Sequence, residues 1–422
     1  MKFSATRPEG KFMFKQSVLF SLLVCCLPVL ASSTDWPQFR GPNRDDISAE
    51  TGLLKEWPAA GPKLLWKGTG IGSGYSTVSV VGKQVFTMGD KGGSSNVFGL
   101  NAEDGKIVWT AKVGQSGGNY DGTRGTPTFD GGKLYALGQF GDLVCLNADD
   151  GKEIWRKNLK TDFNGTEAHW NFAESPLVDG AMLLCTPGGA KGTMMALDKT
   201  NGAPIWRCSE MKDATAYSSI VAADFGGVHQ FVQLTQEHVF GVDAKSGKLL
   251  WSAQRRGSTA VIPTPICYED MVFVTSGYNI GCNCFKISQE GGAFKATELY
   301  PTSPALVNHH GGALRIGENI YGHSDKGGWT CLEMKTGKVL WKNPGVGKGS
   351  VTYADGMLYT RAEGGNGSIA LVEANPQGYK EHGQFNQPER SNKNSWPHPV
   401  VSNGRLYIRD QDNLFCYDVK GK

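Results

Sequence analysis

The residues best suited to hold a ligand sit just ahead of a series of recurring apolar segments. They are Tyr75 in SGYS, Arg124 in DGTRGTP, His169, Trp170, Asn171 and Glu174 in EAHWNFAESP, Tyr217 in ATAYSS, Arg255 in RRGSTAVIPTP, His309 and His310 in NHHGG, Lys348 in GKGS, and Trp396 and His398 in NSWPHP. Aromatic faces mixed with both signs of charge would grip a polar ring-shaped ligand or an acidic sugar. That is binding chemistry. The sequence has no H-E-x-x-H and no C-x-x-C-H, and Lys348-Gly349-Ser350 lacks the upstream Gly of a phosphate loop. His309 and His310 are adjacent, so on a strand they point to opposite faces and make a poor metal pair. Cys282 and Cys284 alone fall short of the three or four converging ligands that a metal needs.

Such loops can meet only if the segments behind them are copies of one unit. Five stretches repeat one shape: GLNAEDGKIVW ending at Trp109, CLNADDGKEIW at Trp155, ALDKTNGAPIW at Trp206, GVDAKSGKLLW at Trp251 and CLEMKTGKVLW at Trp341. In each, Gly follows the small first residue by six positions and Trp follows Gly by four. Alternating apolar residues, a turn closed by Gly and a second apolar run read as two strands of a hairpin. Successive Trp residues from Trp109 to Trp251 lie 46, 51 and 45 apart, the length of a four-stranded propeller blade. The gap of 90 to Trp341 hides a drifted unit, CFKISQEGGAFKATELY, with Tyr300 in the Trp position. A weaker copy runs from Ala370 to Phe385, which makes seven whole units from Ser79.

The two ends supply an eighth. HPVVSNGRLYIRDQDNLFCYDVKGK holds three strands and stops before any Trp, while PKLLW, Pro62 to Trp66, is a strand with nothing in front of it. Joined, they close the ring and leave no free sheet edge. The expected architecture is therefore all-β: an eight-bladed β-propeller over 63–422, with 63–66 completing the last blade beside Leu414 to Asp418.

The A-x-D-x-x-x-G-x-x-x-W pattern resembles the tryptophan-docking motif of pyrroloquinoline quinone (PQQ) repeats, in the lineage of quinoprotein alcohol dehydrogenases and of the outer-membrane assembly lipoprotein BamB. WPQFRGP, beginning at Trp36, also resembles the start of many secreted PQQ-like propellers. The resemblance implies one of two roles. The first is a binding or scaffold module for a protein partner or a small polar ligand. The second is a PQQ- and calcium-dependent alcohol dehydrogenase, with Asn171 and Glu174 as calcium ligands, Arg124 or Lys348 facing the quinone, and Asp121 and Asp213 as available carboxylates. The vicinal cysteine pair of many family enzymes has no counterpart beyond Cys25-Cys26, and the chain lacks their long inserts. The scaffold reading is preferred.

The remaining segments set the context. Residues 1–31 read as a secretion signal: Lys2, Arg7, Lys11 and Lys15 precede the apolar run Val18 to Leu30, which is too short to span a bilayer, and cleavage is expected near Ala31. Val24 before Cys25 argues against lipidation. Losing this segment turns 43 basic and 40 acidic residues into 39 of each, so no electrostatic footprint for nucleic acid remains. A periplasmic or secreted monomer is expected. Residues 32–62 form an arm anchored by Trp36, Phe39 and Trp57 and expected to lie across the propeller. Cys145, Cys284, Cys331 and Cys416 share the first motif position in separate blades, too far apart to bridge, and read as small buried hydrophobes. Asn164-Gly165-Thr166 fits a glycosylation acceptor by pattern.

Overall fold

The computed structural model of the chain describes residues 1–2, 34–120 and 122–421. The expected secretion signal beyond residue 2, with Cys25 and Cys26, its expected cleavage site, and Asp121 lie outside the described residues. Among these there are eight antiparallel blades and no helix. Blades 1 to 7 span 79–115, 128–158, 177–207, 221–254, 266–303, 313–343 and 349–385. Blade 8 takes three strands from 400–418 and its fourth from Lys63–Gly68. First strands of neighbouring blades approach one another around the axis. Closure occurs as the chain ends require: Lys63 opposes Asp418, Leu64 opposes Tyr417 and Trp66 opposes Cys416.

The recurring Trp is the fastener between blades. The indole of Trp66 donates to Ala102 O at 2.8 Å, Trp109 to Ala148 O at 3.0 Å, Trp155 to Lys199 O at 3.0 Å, Trp206 to Ala244 O at 3.1 Å and Trp341 to Asn375 O at 2.8 Å, in each case on the next blade. Tyr300 does the same with its hydroxyl, 3.2 Å from Met334 O. The motif Gly makes this possible. At Gly105, where φ is +70°, a Cβ would lie 2.4 Å from the Trp66 ring, so only Gly lets the turn sit on the indole. Trp251 departs from the pattern: its indole donates to Gln230 Oε1 of its own blade at 2.7 Å.

Small residues at the first motif position also find their reason. Each lies directly across the strand pair from its own blade's Trp or Tyr: Gly99 from Trp109, Cys145 from Trp155, Cys284 from Tyr300, Cys331 from Trp341, Cys416 from Trp66. The crowding therefore comes from the blade's own ring rather than from the neighbouring sheet. A Cβ on Gly99 would fall 2.3 Å from the Trp109 indole. The thiols serve as compact buried groups; those four and Cys282 are free, and burial raises the Cys284 and Cys416 thiols to about 12.

The arm does more than lie across the ring. Trp36 pairs with Val80 of blade 1, Pro37 O accepts from Phe129 N of blade 2, and Ile47–Ser48 adds a parallel strand to the inner edge of blade 7. Between these anchors the chain enters the channel. Arg40, Arg44 and Asp46 are buried, and all three hold positive φ, at 64°, 57° and 60°. Non-glycine residues keep that backbone only where surroundings over-determine it. Here the surroundings are the blades. Arg44 donates to Ser175 O and Ile220 O at 3.0 Å each, to Pro176 O, and to Gln38 Oε1 at 2.9 Å. Arg40 reaches Ala313 O at 2.7 Å and pairs with Asp46 at 2.9 Å, and Asp46 also holds His398 Nδ1 at 3.0 Å. Two buried arginines and one aspartate thus tie blades 3, 4, 6 and 8 to the arm.

Candidate functional site

Above this plug the channel widens into a funnel enclosing about 1020 Å³ including its mouth. In an antiparallel blade the chain enters the first strand at one face, and those entry loops form the funnel wall. They bring together Tyr75, Arg124, Trp170, Tyr217, His309, His310, Trp396 and His398. Five other expected residues, His169, Asn171, Glu174, Arg255 and Lys348, lie apart from the lining. His169 is exposed and packs edge-on against Trp170, with ring centroids 4.8 Å apart. Asn171, half-buried, sits at a positive φ of 66°. Lys348 stands behind the wall, between Asp325 at 3.1 Å and His309 Nδ1 at 2.8 Å. Glu174 is buried, its two oxygens accepting the backbone N–H and the hydroxyl of Thr186.

Hydroxyls just before the inner strands stitch the wall. Thr126 Oγ1 accepts from Thr77 N at 3.2 Å, Ser175 Oγ from Thr126 N at 2.9 Å, and Ser219 Oγ from Ser175 N at 3.0 Å. Each loop start is fixed by its neighbour. Arg255 belongs to the scaffold too, buried and donating to Ser276 Oγ and Gly281 O at 2.6 Å each. Asp213, a sequence-level candidate base, accepts from Thr235 Oγ1 and sits 2.9 Å from His238 Nδ1.

The rings form a tilted collar. Tyr75 and Trp396 stack on each other at 4.1 Å and 25°, whereas Tyr120 meets Trp396 at 54°, Trp170 meets Tyr217 at 48° and Tyr278 meets His309 at 77°. Phe39 and Arg40 of the arm make the floor, with Ala260, Ile262 and Pro263 low on one side. Sequence reasoning missed several of these. Tyr120 precedes Arg124 in the same loop, and its position was legible. Tyr278 comes from the turn between the second and third strands of blade 5, which an antiparallel meander returns to the same face. An aromatic in that turn was the available signal.

Burial sets the protonation of the wall. It lowers His309 to about 3, with His310 and Lys348 adding to the effect, and it also lowers His310, against the opposing pull of Glu363. Burial raises Glu174 to about 7, the Thr186 bonds and Arg44 pulling the other way. A folded carboxyl that keeps its proton up to about 7, against 4.5 for the ordinary group, costs stability as pH rises through that window and yields no further change above it. Glu174→Gln is therefore expected to flatten the fall in stability between pH 4.5 and 7, read as urea midpoints of variant and wild type across that range. An unchanged slope would mean that Glu174 ionises normally.

PQQ with calcium, which the quinoprotein lineage would place here, asks for oxygen ligands around the metal and a flat slot for the quinone. The described residues fit neither requirement. Among them no three His, Cys, Asp or Glu converge, each oxygen of Glu174 already accepts a bond from Thr186, and the Tyr75–Trp396 pair is closed on itself.

A family model described as outer membrane protein assembly factor BamB matches residues 93–343. The BamB of Alkalilimnicola ehrlichii is 24% identical over 208 residues, covering 48% of this chain and 49% of its own length. Matching stretches span 49% to 60% of the first such relatives, so this chain aligns with about half of each. Among solved structures, BamB from Moraxella catarrhalis superposes with a TM-score of 0.59 at 16% identity, covering 82% of this chain and 95% of that one. Quinohemoprotein alcohol dehydrogenase from Comamonas testosteroni superposes at 0.63 and 13%, covering 92% and 81%. At those identities the likeness is one of fold.

Proposed function

This chain belongs to the family described as outer membrane protein assembly factor BamB, and from that premise we propose that it is a non-catalytic binding module of the cell envelope. A secretion signal removed near Ala31 would deliver it to the periplasm or beyond, where the closed ring works as a monomer. Its rigid face holds a protein partner or a small polar ligand at the funnel. One observation carries the reading: among the described residues, three carboxylates around the funnel, Asp90, Glu363 and Asp325, are already held. Asp90 accepts from Ser95 Oγ at 2.6 Å and Gln139 Nε2 at 3.1 Å, Glu363 is paired with His310, and Asp325 with Lys348. A general base must be free to take a proton from substrate, whereas a binding site needs only faces and donors.

The test is to incubate the purified mature chain with PQQ and Ca²⁺ and follow dye reduction with short alcohols. The expected result is no alcohol-dependent reduction above the protein-free rate. Saturable reduction requiring alcohol, PQQ and Ca²⁺ together would replace this reading with a PQQ- and calcium-dependent alcohol dehydrogenase.

A further inference from the structure

We propose that the funnel is a site for an acidic sugar, a pyranose carrying one carboxylate; this rests on reading the funnel as a ligand site and names the chemistry of what enters it. Three features converge. The first is Arg124, half-buried on the wall, whose guanidinium, among the described residues, reaches the neutral oxygens Gln139 Oε1 and Tyr120 O, each at 3.3 Å. Among the described residues no carboxylate lies within ion-pair distance of it. A guanidinium held at long range by neutral acceptors is poised for a stronger anionic partner, and its fork matches a carboxylate.

The second feature is a surplus of donors. Tyr217 Oη accepts from Trp170 N at 3.0 Å, which leaves its own hydrogen to give. Tyr278 Oη is in the same state by a longer chain. Lys348 can only donate, so His309 Nδ1 accepts; Nε2 then carries the hydrogen and gives it to Tyr278 Oη at 2.8 Å. Ser175 and Ser219 on the lining likewise use their oxygens to accept backbone N–H groups. Several free hydroxyl hydrogens around one cationic fork call for a ligand rich in oxygen acceptors.

The third feature is the tilt of the rings. A flat ligand is gripped between parallel faces roughly 7 Å apart, twice the usual stacking distance. The collar offers no such slot, because the Tyr75–Trp396 pair has closed to 4.1 Å and the other lining ring pairs meet at 40° to 77°. Inclined faces suit a puckered ring whose C–H bonds point in several directions, over the apolar side given by Ala260, Ile262 and Pro263.

The probe is methyl glucuronide, with methyl glucoside as its neutral twin and benzoate and PQQ as flat acids, titrated into the mature chain by calorimetry. Methyl glucuronide is expected to saturate at or below about 10 mM and to bind about tenfold or more tighter than the glucoside, the scale of one charge-assisted contact. Added salt should erode that difference, and Arg124→Gln should abolish it with the melting temperature unchanged. Trp170→Ala should weaken both sugars. The inference is overturned by tighter binding of benzoate or PQQ, by equal affinity for the two glycosides at low salt, or by no saturation at all. Those results leave the alcohol-turnover test untouched, so a failed sugar site and a failed binding-module reading are told apart.

Discussion

Arg44→Ala is expected to lower the unfolding free energy by about 3 to 5 kcal/mol, the range for stripping a buried charged hub of its partners. The guanidinium fork supplies hydrogens to Ser175 O, Pro176 O and Ile220 O and to Gln38 Oε1. Alanine leaves these acceptors in a channel without a donor, at roughly 1 to 3 kcal/mol for each that water does not reach. Burial already lowers the Arg44 pKa to about 9, so the charge is held at a cost which its hydrogen bonds must exceed. Arg44→Lys keeps the charge and loses the fork; it should fall between wild type and alanine. Urea midpoints decide it. An alanine variant as stable as wild type would mean that the arm merely occupies space.

Trp66→Ala is the second large effect, about 3 to 5 kcal/mol from core truncation. Its consequence differs in kind, because Trp66 is the only docking ring carried by the strand that closes the ring. The indole crosses from blade 8 to Ala102 O and lies against Gly105 of blade 1. Losing it loosens Lys63–Gly68 and exposes an unpaired edge, for which the remedy is pairing with another copy. Sedimentation should show higher oligomers, and protease should cut first near 63–68. Trp251→Ala should cost comparable stability and produce neither change, since that indole docks on Gln230 within its own blade. Identical behaviour of the two variants would show that the seam is not special.

Much of this was legible in the chain. The spacing of Gly and Trp specifies a blade, and the unpaired PKLLW at one end and three strands at the other specify how the ring closes. Tyr300 in the drifted unit does dock on the next blade. The partner of Trp251 was hidden, because blade 5 replaces the short motif turn with two long strands, Gly281–Glu290 and Ala293–Ser303. The path of the arm was hidden for a different reason. Arg40, Arg44 and Asp46 look like solvated turn residues, and only the geometry of the channel shows that each charge has enough partners to be buried. Glu174 was misleading in the same way. A carboxylate next to funnel aromatics invites a ligand role, yet Thr186, just past the second strand of its own blade, bonds to both oxygens.

Preformed binding depends on the arm being a fixed floor rather than a loose end, and hydrogen exchange reads this directly. The amide of Asp46 is bonded to Arg40 O at 2.8 Å, that of Arg44 to Gly41 O at 3.1 Å, and that of Tyr353 to Asp46 O at 2.8 Å. All three should exchange as slowly as the central strand of blade 4, Val228–Leu234, and only when the whole ring opens. Exchange of Arg44 and Asp46 within seconds, while that strand stays protected, would mean an open channel and no floor beneath the collar.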